Sequence, residues 1–181
     1  MSQDLQFVQI KNFLLEEDYL KIKNDMINDF SNFYRKDDLK SGEQTSAKLF
    51  EHYKTQHWKN FYKKINDVMH DIATLNNVKE KKLTKSWCLK ISKPQENFFH
   101  KHILTEDTYT SVYYLQNENY ELGTHLKAEL DSPIFPNSIS EVIIPGYENS
   151  LTIFSGLILH DAVVPKVELN KPRYTIVTDY E

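Results

Sequence analysis

The spacing of apolar residues changes once along the chain, at Asn76-Asn77, and this change limits the possible folds more than any other feature. Before it, apolar residues recur every three to four positions, the period of one face of an α-helix; after it, short β-rich runs alternate with turn residues to the C-terminus. Leu49, Phe50, Tyr53, Trp58, Phe61, Ile65, Val68, Met69 and Ile72 predict one long amphipathic helix. An earlier helix is predicted from the acidic start Glu16-Glu17-Asp18, whose charges suit the positive end of a helix dipole, to about Tyr34. Leu20, Lys23/Asn24, Ile27, Phe30 and Tyr34 mark its inner face, widened by Met26 and Phe33. A short strand from Leu5 to Ile10 precedes it, and the polar segment Arg35 to Ser46 follows it.

Beyond Asn77 the strand candidates are Thr84 to Ile91, Tyr109 to Leu115, His125 to Leu130, Ser140 to Ile144, Leu151 to Phe154, Leu157 to Val164 and Tyr174 to Asp179. Pro94, Gly123, Pro133, Pro136, Pro145-Gly146, Ser155-Gly156 and Pro172 punctuate them. Many short strands with tight turns predict an α+β, mainly β chain: an antiparallel sandwich or barrel with the helices packed on one outer face. At 181 residues the expectation is a single domain, with residues 1–76 as helical support and 77–181 as the β-sandwich core. There is no βαβ alternation, and with four glycines in the chain there is no glycine-rich phosphate loop, which disfavours ATP or NAD chemistry.

A net charge of -4 provides no global positive field for a phosphate backbone, so strong nucleic-acid binding is not expected. Lys79, Lys81, Lys82 and Lys85 enclose Glu80 between two structural elements and read as a solvated turn. The single cysteine, Cys88, excludes an intramolecular disulfide and a multi-thiolate zinc site, and its apolar surroundings predict a buried, inert thiol. The N-terminal residues lack a basic region followed by an apolar run, and no apolar stretch reaches bilayer-spanning length. A cytoplasmic protein without a membrane partner is expected.

His100 and His102 are two apart, so in an extended segment both imidazoles project to one face, where one metal can meet both. His160 lies within the apolar run 157–164, where a neutral imidazole is buried if it has a partner. Arg173 heads the last strand with Thr175 on the same face; a guanidinium fork with a neighbouring hydroxyl makes a good carboxylate clamp. His52, His57 and His70 are not spaced one helical turn apart as a metal pair and read as surface or core-edge residues.

The order of these features resembles the iron(II)/2-oxoglutarate-dependent oxygenase superfamily, in particular its prolyl-hydroxylase-like branch. The resemblance rests on FFHKH at 98–102, TSVYYLQ at 110–116, LTIFSGLILHDAVVP at 151–165 and KPRYTIVTDY at 171–180. It implies a double-stranded β-helix, or jelly-roll, core. It also implies His100 as the first metal ligand, His160 as the distal histidine, Arg173 as the partner of the distal carboxylate of 2-oxoglutarate with Thr175 as its companion, and Tyr114 as a hydrogen-bonding residue for the same group. Tyr113 points to the opposite face and reads as packing, and Gly123 corresponds to a glycine-containing turn before the next strand. The implied cofactor is Fe(II), with 2-oxoglutarate and dioxygen as co-substrates, and the implied reaction is hydroxylation of an unidentified protein, small molecule or nucleotide with release of succinate and carbon dioxide. Trp87, Phe98, Phe99 and Tyr109 are candidate apolar walls, His125 is a further candidate lining residue, and loops 104–108 and 131–137 frame the entrance.

One position departs from the family pattern of His-X-Asp or His-X-Glu: His102 stands where the carboxylate is expected. Three neutral histidines leave the site one negative charge short of the two-histidine, one-carboxylate arrangement. Either His102 is the third ligand or an acidic residue such as Glu106 or Asp107 completes the set. The departure keeps two alternatives open: a non-catalytic jelly-roll binding protein, and a cupin-type metal protein that does not use 2-oxoglutarate. A cupin-type site has no need of a carboxylate clamp at Arg173 and Thr175.

Overall fold

The stop at Asn76-Asn77 is a helix C-cap. In the computed structural model, which describes residues 6–35, 43–96, 98–102, 108–130 and 138–181, Asn77 takes a positive φ of 51°, a conformation asparagine tolerates better than most residues. The Val78 N–H returns to the Ala73 carbonyl (2.9 Å) and the Asn77 N–H to the Thr74 carbonyl (3.1 Å), which satisfies carbonyls the helix leaves open.

In chain order the elements are β1 (Phe7–Ile10), α1 (Glu16–Phe33), β2 (Tyr34–Arg35), β3 (Glu43–Thr45), α2 (Leu49–His52) and α3 (Gln56–Leu75). There follow β4 (Leu83–Ile91), β5 (Tyr109–Gln116), β6 (Thr124–Leu130), β7 (Ser138–Ile144), β8 (Ser150–Ser155), β9 (Leu159–Ala162) and β10 (Arg173–Tyr180). The strands form a seven-stranded sheet, β1-β8-β5-β10-β4-β3-β2, and a three-stranded sheet, β7-β6-β9. Every pairing within them is antiparallel. No helix among the described residues is long and apolar enough to cross a membrane.

Four sequence expectations need correction. The stripe of α1 is Tyr19, Ile22, Met26 and Phe30, and Leu20 is 45% exposed. Phe30 and Met26 belong to the expected stripe, and Ile27 and Phe33 pack at its edge, but its N-terminal part is set by Tyr19 and Ile22 in place of Leu20; the Tyr19 ring is buried and its hydroxyl donates to the Leu115 carbonyl (3.0 Å). The single long helix from Leu49 is two helices, because Tyr53 turns extended and lays its ring flat on Trp58 at 4.1 Å before α3 begins. The polar segment after α1 contains β2 and β3, whose Thr45 hydroxyl accepts the Cys88 N–H (2.9 Å). The expected strand 157–164 shrinks to β9 because residues after Ser155 turn, with the Ile158 N–H on the Ser155 carbonyl (3.0 Å).

Alternation along the strands sorts the larger sheet into two faces. Cys88, Tyr113, Leu151, Ile153, Tyr174 and Ile176 face α1 and α3 in one core with Ile22, Met26, Trp58, Phe61 and Ile65. Removing each such aliphatic or phenylalanine side chain from water stabilises the fold by about 1.5–3 kcal/mol. The Trp58 indole N–H donates to Asp25 (2.9 Å) and the Tyr180 hydroxyl to Asn66 (2.7 Å), so the buried polar tips of this layer are satisfied. Cys88 is fully buried and burial pushes its thiol well up, as expected of an inert residue. On the other face Val112, Tyr114 and Phe154 meet Leu126 and Ile144 of the smaller sheet and Ile158.

Candidate metal centre and carboxylate pocket

Between the two sheets, the segment 98–102 lies beside β9. The His100 N–H donates to the His160 carbonyl and the His160 N–H to the His100 carbonyl, each at 3.0 Å, so the two residues are antiparallel bridge partners. Partners directly opposite share a face, which places their rings together, 4.5 Å apart at the centroids. His102, two residues on, has its N–H on the Gly156 carbonyl (2.9 Å). A Cβ at position 156 would lie 2.9 Å from the His102 carbonyl oxygen, so glycine is what permits the close approach. One ring nitrogen from each of His100, His102 and His160 lies within 4.8 Å of the others, and the Nε2 atoms of His100 and His102 are 3.1 Å apart.

The opposite ring nitrogens explain which atoms converge. His160 Nδ1 donates to the Ile158 carbonyl (2.8 Å), His100 Nδ1 to the Phe98 carbonyl (3.0 Å), and His102 Nδ1 to Asp179 Oδ1 (2.7 Å). A neutral imidazole with its proton on Nδ1 presents a lone pair at Nε2, so three lone pairs are aimed at one point. Burial, reinforced by His102 and His100, lowers the pKa of His160 to about 3; burial also lowers that of His100. Both are therefore neutral donors at pH 7, and a cluster of such donors fits a divalent cation.

Arg173 is 2% exposed. Its Nη1 donates to the Leu122 carbonyl (2.6 Å) and the Val163 carbonyl (2.7 Å), while its buried Nη2 has no partner among the described residues. Burial lowers its pKa, with Tyr114 and Asp161 opposing. Thr175 follows on the same face of β10, and the Tyr114 hydroxyl is 2.7 Å from Thr124 Oγ1. His100, His102, His160, Arg173, Thr175 and Tyr114 all line one cavity of about 430 Å³, ample for a small organic acid. Gly123 also lines it; a Cβ there would lie 1.8 Å from the Ile144 carbonyl oxygen, so only glycine fits.

Of the predicted walls, Trp87 and Phe98 line the cavity. Phe99 does not: alternation turns it away, onto His125 (4.8 Å) and Lys127. Tyr109 packs against the helix-side core. His125 is paired with Glu141 (3.3 Å) and Asp161 (3.7 Å) outside the lining. Tyr113, as expected, is on the helix side, its hydroxyl donating to Asn149 (2.8 Å). Glu106, Asp107 and the predicted entrance segments 104–107 and 131–137 lie outside the described residues; Thr108, assigned to the first of them, is buried. Sequence reading missed Thr124, Gln44, Thr110 and Asp179. Asp179 could have been found, because it continues the every-second-residue series 173, 175, 177.

No protein-family model and no curated protein matches the sequence. Solved structures do match in shape. The non-heme alpha-ketoglutarate-dependent carbocyclase SnoK from nogalamycin biosynthesis superposes with a TM-score of 0.74 at 11% identity, over 97% of this chain and 79% of the other. A prolyl-4-hydroxylase from Pseudomonas putida gives 0.67 at 10% identity, over 98% and 92%. HygX from Streptomyces hygroscopicus, with nickel, 2-oxoglutarate and hygromycin B bound, gives 0.61 at 10% identity, over 97% and 82%. The chain has the fold of the 2-oxoglutarate-dependent non-heme oxygenases.

Proposed function

We propose that the chain is an iron(II)- and 2-oxoglutarate-dependent dioxygenase that hydroxylates an organic substrate. In this reading His100, His102 and His160 hold the metal, and Arg173, Thr175 and Tyr114 hold the co-substrate. The observation that carries it is one cavity containing both three convergent imidazole nitrogens and a buried guanidinium with an unpaired Nη2. An unpaired buried charge is costly, and a carboxylate supplies what this one lacks. A cupin-type or purely structural site does not account for that group. The two sheets are read as the halves of a double-stranded β-helix, forming one oxygenase domain, and a reducing, cytoplasmic setting suits both the free Cys88 and iron(II).

When bound, iron and 2-oxoglutarate supply the oxidation: dioxygen is reduced as the ketoacid becomes succinate and carbon dioxide and the substrate gains a hydroxyl group. The protein supplies position and dryness. Arg173 keeps Nη1 on the Leu122 and Val163 carbonyls, which fixes the plane of the guanidinium and leaves Nη2 to donate to the carboxylate. The hydroxyls of Thr175 and Tyr114 add donors on the same wall. Trp87, Leu89 and Phe98 exclude water across the cavity, with the Gln44 amide beside them, a wall suited to an uncharged organic group. Small molecules are the substrate class favoured, in keeping with the hygromycin B bound to HygX.

The test is anaerobic titration of metal-free protein with iron(II) and then 2-oxoglutarate, following the visible metal-to-ketoacid charge-transfer band. The band is expected with wild type, absent with His160→Ala, and absent or greatly weakened with Arg173→Ala. Wild-type protein that binds neither iron nor ketoacid would sink the oxygenase reading in favour of a non-catalytic jelly roll; iron bound without ketoacid would favour a cupin-type centre.

A further inference from the structure

Among the described residues the proposed centre has no ligand carboxylate, yet a carboxylate stands directly behind one ligand. Asp179 is 2% exposed and its Oδ1 accepts hydrogen bonds from His102 Nδ1 (2.7 Å) and from the Thr110 hydroxyl (2.9 Å). Among the described residues no lysine or arginine pairs with it; the nitrogen it meets is that of the His102 ring. A buried carboxylate whose side-chain partners are one hydroxyl and one imidazole has no fixed positive charge beside it. A divalent cation on the far side of that imidazole would supply it. His160 and His100 differ in this respect, since their Nδ1 atoms are held by backbone carbonyls, which carry no net charge.

We propose that Asp179 is a positioning residue of the metal centre, supplying through His102 the negative charge that a ligand carboxylate supplies in a two-histidine, one-carboxylate site. The inference rests on the metal site proposed above. Its physical content is threefold: the hydrogen bond fixes the His102 tautomer with Nε2 free, it fixes the ring's orientation, and the adjacent anion makes Nε2 a stronger donor. The missing charge is thus moved outward by one ring, and Thr110 holds the carboxylate in place from β5.

The test is a coupling measurement with cobalt(II) as a spectroscopic substitute for iron(II), on protein whose folding is checked by its near-ultraviolet spectrum. Asp179→Asn keeps an oxygen acceptor but removes the charge, and is expected to weaken cobalt binding by about 10–100-fold. In a His102→Asp background, where the anion is a direct ligand, the same Asp179→Asn substitution should cause no weakening. Equal losses in the two backgrounds, or no loss in the first, would overturn the proposal, because a merely structural role acts alike in both. Asp179→Glu, which keeps the charge, is the second variant and should lose less affinity than Asp179→Asn; equal loss also overturns it. If wild-type protein binds no cobalt, the metal reading falls and this inference with it. If wild type binds cobalt and shows the iron-ketoacid band while Asp179→Asn binds as tightly, this inference alone fails.

Discussion

Residues 174, 176, 178 and 180 of β10 lie on the helix side, whereas 173, 175 and 177 line the cavity and 179 continues their face behind His102, and all eight are buried. On the helix side the Tyr180 hydroxyl has Asn66 and the Thr178 and Ser111 hydroxyls meet at 2.5 Å, while the Tyr174 ring packs edge-on to Phe30 at 5.5 Å. On the cavity side Arg173 Nη2 has no partner among the described residues and Asp179 leans on an imidazole. Burial is therefore the same on both faces, and what separates scaffold from site is whether the hydrogen-bonding capacity is used up. A folding core gains nothing from an unpaired donor, whereas a binding site keeps one for its ligand.

The sharpest way to break the comparison is to damage the helix face. Phe61 is fully buried, with its ring against Phe13, Trp58 and Tyr113. Phe61→Ala should cost about 3–5 kcal/mol of stability, read from the shift of the urea unfolding midpoint, through lost burial and the cavity left behind. The protein that remains folded should bind cobalt with unchanged affinity. A tenfold change in that affinity would mean that the two faces are energetically coupled and that the division drawn along β10 is wrong.

The cavity face offers the converse experiment. Arg173→Lys keeps a positive charge but replaces a planar fork by a single ammonium, which cannot hold two backbone carbonyls and a carboxylate at once. Losing a charge-assisted hydrogen bond costs about 1.5–3 kcal/mol, so 2-oxoglutarate binding to the metal-loaded protein should weaken by roughly 10–150-fold by calorimetry. Metal affinity should stay as it is, since Arg173 is not among the convergent nitrogens. Undiminished ketoacid binding would show that charge alone suffices and that the fork geometry is irrelevant.

The sequence exposed one side of this division better than the other. The helix-side face is read from apolar periodicity, and Phe61, Ile65 and Met69 satisfy it plainly, while Tyr19 sits beside Leu20, and periodicity alone does not say which of the two adjacent residues turns inward. The cavity side was legible where a residue type carries its own chemistry: His100, His102, His160 and Arg173, singled out by side-chain type and spacing, line one cavity. It was not legible where function depends on a long-range pairing. Asp179 and Thr110 are 69 positions apart and meet only because β10 pairs with β5. The breadth of β3 was hidden for a related reason, since Glu43-Gln44-Thr45 has no apolar alternation and is a strand only because β4 offers an edge.

The smallest effect expected separates ordinary charge pairing from the buried charges of the site. Glu148 joins α1 to the loop before β8: Oε2 accepts from the Tyr19 hydroxyl (2.7 Å) and Lys23 Nζ (2.8 Å), and Oε1 from the Asn117 N–H (2.9 Å). Burial alone would raise its pKa, but the hydrogen bonds from Lys23, Tyr19 and Asn117 outweigh it and hold the carboxyl below its ordinary value of 4.5. A carboxylate with a depressed folded pKa stabilises the fold above its unfolded pKa, and that contribution is lost as pH falls through the folded value. Glu148→Gln should therefore cost stability at neutral pH and lose the part of the acid-unfolding slope that Glu148 contributes below about pH 4.5. Because the side chain is 37% exposed, solvent screens the pair with Lys23, and the loss should be at most about 1 kcal/mol. An acid limb identical to that of wild type would mean that Glu148 titrates alike in the folded and unfolded chains, leaving Tyr19 to hold α1 on the sheet by its burial and its bond to the Leu115 carbonyl.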